Sequence, residues 1–242
     1  ALKNICRDYP AGGTVLRELL QNADDAGATE VRFILDERTY PVKDPDQEFI
    51  NPSLEQYQSP ALLAYNNAIF TDTDFENLSR LSNSLKLHDG STTGKFGRGF
   101  NSVGVQYNWT DSPSIVSRNQ LLILDPHYAW SLGGPVYDFV KYSGNIKIQK
   151  HMSAFQTVMK HFDRELDGTI IRIPLRTQAQ VAKSEISDWE TTASEVLDVL
   201  RSFASEFGKN GLLFMRNIER LEIGSADMSV EIKLTDAEAI RP

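Results

Sequence analysis

The sequence predicts a mixed α/β domain with several adjacent antiparallel strands, and three observations predict it. Helix-spaced apolar patterns at residues 14–27, 71–81 and 184–207 alternate with short runs rich in β-branched, aromatic and aliphatic residues. Those runs come in sequence neighbours, at 114–117 and 120–124 and again at 212–215 and 218–223, as antiparallel strands do. The chain has 242 residues, 40% of them hydrophobic, which suffices for one large domain or two small ones. No internal repeat is visible.

The first helix is the most informative element. Thr14 is its expected N-cap and Gly27 its expected C′ residue. Leu16, Leu19, Leu20, Ala23 and Ala26 share one arc, while Glu18, Asn22 and Asp25 lie within roughly 60° of one another on the opposite arc. Asp24 and Asp25 fall in the last turn, where the macrodipole disfavours negative charge by about 0.3–1 kcal/mol each. A local rule broken without visible compensation points to a site, while a solvated polar face is the plainer alternative.

Residues 29–35 read as the first strand. Residues 39–60, with four prolines and few periodic apolar positions, read as a long surface excursion. Residues 61–65 read as a second strand closed by a turn at Asn66-Asn67. A helix follows over 71–81, with Thr71 as N-cap and Asp74 in the capping-box position. Residues 82–95 are polar and hold too little apolar surface to fix one conformation. They run into Gly94-Lys-Phe-Gly-Arg-Gly-Phe100 and an apolar stretch that reads as the start of a helix. Further strands are expected at 114–117, 120–124 and 168–174, with Pro174 at a strand end where a missing donor is tolerated. A helix over 184–207 and strands at 212–215 and 218–223 complete the pattern.

Composition excludes several functions. The formal net charge is −8 with no dense Lys/Arg cluster, so nucleic acid is not an expected partner. No apolar run approaches the ~20 residues of a membrane span. The single cysteine, Cys6, allows no internal disulfide and fits a reducing compartment. The four histidines show no zinc-like spacing. The chain starts at Ala1, and residues 2–10 read as the end of a helix, so a domain excised from a longer protein is expected.

The constellation that carries chemistry has three parts: the acid–amide helix, the Asn66-Asn67-Ala68 turn and the glycine run. Glycines at 94, 97 and 99 would let backbone N–H groups approach phosphate oxygens, with Lys95 adding positive charge, although an ordinary glycine turn explains such a run equally well. Asn22 could give Mg²⁺ an oxygen ligand, and Glu18 could orient or deprotonate a water.

At these residues the chain resembles a known family. Glu18-x-x-x-Asn22-Ala-x-Asp25-Ala26 resembles the N-box of the GHKL superfamily of gyrase, chaperone, histidine-kinase and mismatch-repair ATPases, and Gly94 to Phe100 resembles its glycine box. Glu18-Leu-Leu-Gln-Asn-Ala-Asp-Asp-Ala-Gly27, Leu63-Ala-Tyr-Asn-Asn-Ala-Ile-Phe70, Gly99-Phe-Asn-Ser-Val103, Leu124-Asp-Pro-His127 and Gly168-Thr-Ile-Ile-Arg-Ile-Pro174 are similar to the chaperone-type, heat-shock-protein-90-like ATPase domains of the sacsin family. The similarity runs from about residue 2 to 223. It implies a two-layer sandwich of the Bergerat type, with helices on one face of a mixed, largely antiparallel sheet. Residues 1–176 would be the nucleotide core, with a lid at about 82–95, and residues 177–242 a C-terminal helix and strands.

The resemblance further implies ATP or ADP with Mg²⁺ as cofactor, Glu18 as general base and Asn22 as the metal ligand. Asp25 would be the supporting acid. Asn66 and Asn67 would lie at the base end with Thr169, and Lys95, Phe96, Gly97, Gly99 and Phe100 along the phosphates. A cytoplasmic setting, client or co-chaperone partners and flanking domains of the same chain would follow. The Asp-x-Gly-x-Gly box of the superfamily is absent, because Tyr65-Asn-Asn-Ala-Ile-Phe70 stands there. That departure supports a different expectation, a degenerate fold kept as an interaction scaffold. Arg98, where the family carries an aliphatic residue, is a second departure.

Overall fold

The computed structural model describes residues 12–41, 49–84, 105–125, 127, 131, 134–207, 211–225 and 229–233. Its helices are α1 (Gly13–Asp25), α2 (Asp72–Ser84), α3 (Ile146–Met152), α4 (Gln178–Val181) and α5 (Ala193–Phe207). Its strands are β1 (Glu30–Asp36), β2 (Ala61–Asn66), β3 (Ser114–Arg118), β4 (Gln120–Ile123), β5 (Val136–Asp138), β6 (Leu166–Pro174), β7 (Arg220–Gly224) and β8 (Ser229–Lys233). They form one sheet in the order β5-β4-β3-β6-β2-β1-β7-β8. Every pairing is antiparallel except β1 with β7. The mixed, largely antiparallel sheet expected from the sequence is therefore present.

Strand alternation sends side chains to two faces. Phe33 and Leu35 of β1, Leu62 and Ala64 of β2, Ile173 of β6 and Leu221 and Ile223 of β7 meet Leu16, Leu19 and Leu20 of α1 and Val196, Leu200 and Phe203 of α5. The Phe33 and Phe203 rings meet edge to face at 6.1 Å. Phe75 of α2 packs with Ile115, Leu122 and Leu124, beside Ile171, which also touches the first cluster. The long helices thus share one face. Each fully buried Leu or Phe there contributes about 1.5–3 kcal/mol.

The opposite face is covered too, which corrects the reading of residues 39–60 as a surface excursion. Tyr40, Phe49, Leu54 and Tyr57 are buried with Leu63, Val116, Leu121, Ile123 and Ile170, alongside Ile148, Met152 and Phe155. Pro52–Tyr57 forms a 3₁₀ turn with Asn51 capping it by accepting from the Ser53 N–H. Arg172, inside β6 and buried, donates to the carbonyls of Tyr57 (2.8 Å) and Ser59 (2.9 Å), fastening the segment to the sheet. Burial lowers the pKa of this guanidinium to about 10.

Other boundaries move for local reasons. α1 is capped by Gly12, with φ +121°, and Thr14 is its second residue. Gly27, at φ +80°, is the C′ residue expected, and its N–H and that of Ala28 bond to the carbonyls of Asp24 and Ala23. The Thr71–Asp74 capping box forms in both directions. α5 starts at Ala193 and not near 184, because Thr192 and Glu195 form an unforeseen capping box. Upstream, Ile186 is buried and Trp189 is 54% exposed. Residues 211–214 are a 3₁₀ turn in place of a strand, and β7 pairs with β8 instead. A Cβ on Gly211 would lie 2.3 Å from the Phe207 ring, so only glycine allows that turn. β5 and α3 have no counterpart in the sequence reading.

Candidate functional site

The helix that carries the acid–amide stripe packs its apolar face on the sheet. Register runs across four central strands from Val31 to Asn66, from Asn66 to Thr169, and from Thr169 to Ser117. By alternation these residues point to the α1 face, two positions beyond Phe33, Ala64 and Ile171. Val31 joins the apolar core, while Asn66, Thr169 and Ser117 make this row polar where its neighbour is apolar. Glu18 and Asn22, one turn apart on α1, are half-buried. An amide oxygen and a carboxylate at that spacing suit a hard cation and its bound water.

The third member of the stripe behaves differently. Asp25 is exposed, whereas Asp24 is buried. Asp24 Oδ1 accepts from the backbone N–H groups of Arg216 (3.0 Å), Asn217 (2.7 Å) and Ile218 (3.1 Å). Its own carbonyl accepts from Asn217 Nδ2 at 2.7 Å. Burial raises the carboxyl pKa, and these donors outweigh burial and hold it below the usual range. This anchor compensates the negative charge in the last turn. Asp24 is the residue that the sequence reading missed, since its partners lie 192 to 194 positions away.

The base-end residues are engaged with their own chain. Asn67 Oδ1 accepts from the N–H groups of Thr29 (2.8 Å) and Glu30 (3.0 Å), and its Nδ2 donates to Thr29 Oγ1. Asn66 Oδ1 accepts from the Ala68 N–H at 2.9 Å, closing an Asx-type turn. Thr169 is fully buried and donates to the Ala68 carbonyl at 2.8 Å. Ser117, which no sequence signal marked, accepts from the Phe70 N–H (3.0 Å) and donates to the Gly168 carbonyl (2.7 Å). Gly168 sits at φ +135°, and a Cβ there would stand 2.5 Å from the Asn66 carbonyl oxygen.

The phosphate-side residues Lys95, Phe96, Gly97, Gly99 and Phe100 lie outside the described residues. So do Arg98 and lid positions 85–95, while α2 extends through 82–84. The helix start expected after the glycine run lies outside the described residues, and the chain returns at Val105–Asn108 as a buried 3₁₀ turn. Arg176, fully buried, donates to the carbonyls of Tyr107 (2.6 Å), Asn108 (3.0 Å) and Thr110 (2.9 Å) and to Asp111 Oδ1 (2.8 Å). Asp111 is pushed up by burial and pulled further down by His127 and Arg176, leaving it below the usual carboxylate range. Among the described residues no three His, Cys, Asp or Glu side chains form a metal cluster, and no helix is long and apolar enough to cross a membrane.

Comparison with known proteins gives three findings. The family model described as "Sacsin domain" matches residues 1–235. The chain is 34% identical to human sacsin over 233 residues, which is 92% of this chain and 5% of sacsin. A solved structure, the Aquifex aeolicus MutL ATPase domain complexed with ADP, aligns with a TM-score of 0.44 at 12% identity. That alignment covers 92% of this chain and 63% of the MutL chain.

Proposed function

The chain belongs to the Sacsin domain family, and from that premise we propose that it is a chaperone-type nucleotide-binding module, taking ATP or ADP with Mg²⁺ and capable at most of slow hydrolysis. The observation that carries this reading is the half-buried Glu18–Asn22 pair, one turn apart on α1. Asn22 would hold Mg²⁺, which would neutralise phosphate charge. Glu18 would orient and deprotonate the attacking water. Lys95, Phe96, Gly97, Gly99 and Phe100 would follow the phosphates, and Asn66 and Thr169 would border the base. Asp25, exposed, would act only from the rim. In a longer cytoplasmic protein, nucleotide state would pass to flanking domains and to client or co-chaperone proteins.

A second reading has its own observation. Asn67 spends both amide atoms on Thr29 and Glu30, while Asn66 Oδ1 and Thr169 Oγ1 bond to Ala68. A base end satisfied from within suits a fold retained as an interaction scaffold. Calorimetric titration of Mg·ATP and Mg·ADP, with Asn22→Ala alongside, separates the two. Binding near micromolar, about −8 kcal/mol, that disappears in Asn22→Ala supports the nucleotide module. Neither heat nor a thermal shift at millimolar nucleotide sinks it and leaves the scaffold.

A further inference from the structure

The polar row of Asn66, Thr169 and Ser117, with the turn that leaves β2, is hydrogen-bonded almost wholly to itself. Asn67 Oδ1 has two lone pairs, and the N–H groups of Thr29 and Glu30 fill both. The Thr169 hydroxyl donates to the Ala68 carbonyl and lies 2.9 Å from Ser117 Oγ. That oxygen in turn holds the Phe70 N–H and the Gly168 carbonyl. The backbone of the turn is engaged as well. The Asn67 N–H donates to the Glu30 carbonyl, and the Ala68 N–H to Asn66 Oδ1. No carboxylate stands among Asn66 to Phe70, Gly168, Thr169 and Ser117.

Among the described residues of this row, what stays open is small and two-sided. Half-buried Asn66 keeps the second lone pair of Oδ1 and its amide hydrogens, an acceptor beside a donor. Such a group meets an amino or a carbonyl substituent on a ring equally well. Ile69, 49% exposed, adds apolar surface in the turn. Packing against the face of a base is indifferent to which base it is, because every base has a π-face. A site built to hydrogen-bond one ring substituent rejects a ligand lacking it by about 10⁴-fold. No group in this row is placed to do so.

We infer that the base is not read. On the nucleotide reading proposed above, on which this inference rests, the module takes nucleoside di- and triphosphates whatever their base. Affinity comes from the phosphates and from Mg²⁺ at Asn22. Asn67 is a brace between the turn after β2 and the start of β1, and not a base contact.

Calorimetric titration of Mg·ADP, Mg·GDP and Mg·CDP into the 242-residue chain tests this, with Asn67→Asp alongside. The expected result is three dissociation constants within tenfold of one another. Any one of the three binding more than tenfold tighter than another overturns the inference and leaves the nucleotide reading standing. Binding of none of them at millimolar concentration removes that reading, and the inference falls with it. Asn67→Asp keeps an oxygen for the Thr29 and Glu30 N–H groups, and the Thr29 hydroxyl can turn to donate to the second carboxylate oxygen. The variant is therefore expected to bind the three as evenly as the parent. A preference for ADP above tenfold that arises only in Asn67→Asp would put this side chain on the base, and it too overturns the inference.

Discussion

Asp24 and Asp25 are adjacent acids at the end of one helix, and the fold separates them completely. Asp24 is 5% exposed and holds three successive backbone N–H groups, while its neighbour faces water. The sequence showed that a rule was broken there, and it showed the Glu18–Asn22 spacing, because both are local. It could not show the compensation, because Arg216, Asn217 and Ile218 come from the far end of the chain. The same limit applies to Asn67, whose neighbours in sequence say nothing of Thr29 and Glu30. Asp24→Ala leaves those buried donors unsatisfied, and urea denaturation is expected to register a loss of about 2–3 kcal/mol. Asp25→Ala, at an exposed position, is expected to stay within about 0.5 kcal/mol. Equal losses would show that the anchor carries no particular weight.

Elements were legible where their signals were local and regular. β1, β2, β3, β4, β6, α1 and α2 stand within a few residues of expectation, since alternation, capping boxes and a C′ glycine act within one or two turns. The helix expected over 184–207 ran too far upstream because Ile186 and Trp189 imitate its period, while the Thr192–Glu195 box sets the true start. β5 has three residues and its pairing depends on β4, so no period could announce it. The Gly168-Thr169 pair belongs to this scale as well. Gly168 combines a left-handed φ with contact against the Asn66 carbonyl, so alanine there must strain the backbone and push β6 from β2. Gly168→Ala is expected to cost about 2 kcal/mol or more and to lower the melting temperature. Hydrogen exchange should quicken at Asn66 and Thr169 before it does so at Leu62 and Ile173, at the other end of the pair. Uniform quickening along β2 would overturn the local account.

Across the whole molecule, the sheet is buried on both faces, and its second face hides groups that resist protonation. His151 is buried edge-on against Phe49, and burial, with the nearby charge of Arg172, lowers its pKa to about 3. The unfolded chain takes up this proton below about pH 6.5, so stability is full above that pH and declines as pH falls towards 3. Asp36 is raised by burial, but the donors Arg38, Thr157 and Tyr40 prevail and hold it at about 2. Its contribution is present above about pH 4 and is lost as pH falls towards 2. Urea midpoints at pH 7, 5.5 and 4.5 are expected to fall in the parent and to fall less in His151→Phe. Parallel slopes in the two proteins would show that His151 is not the group responsible.

Asp24 also joins two distant parts of the chain. Its carboxylate grips residues 216–218, the lead into β7, and β7 carries the chain out through β8. Glu18 and Asn22 ride on the same rod. That grip ties the C-terminal end of α1 to the segment leading into β7, so the helix bearing Glu18 and Asn22 and the edge of the sheet are held as one unit.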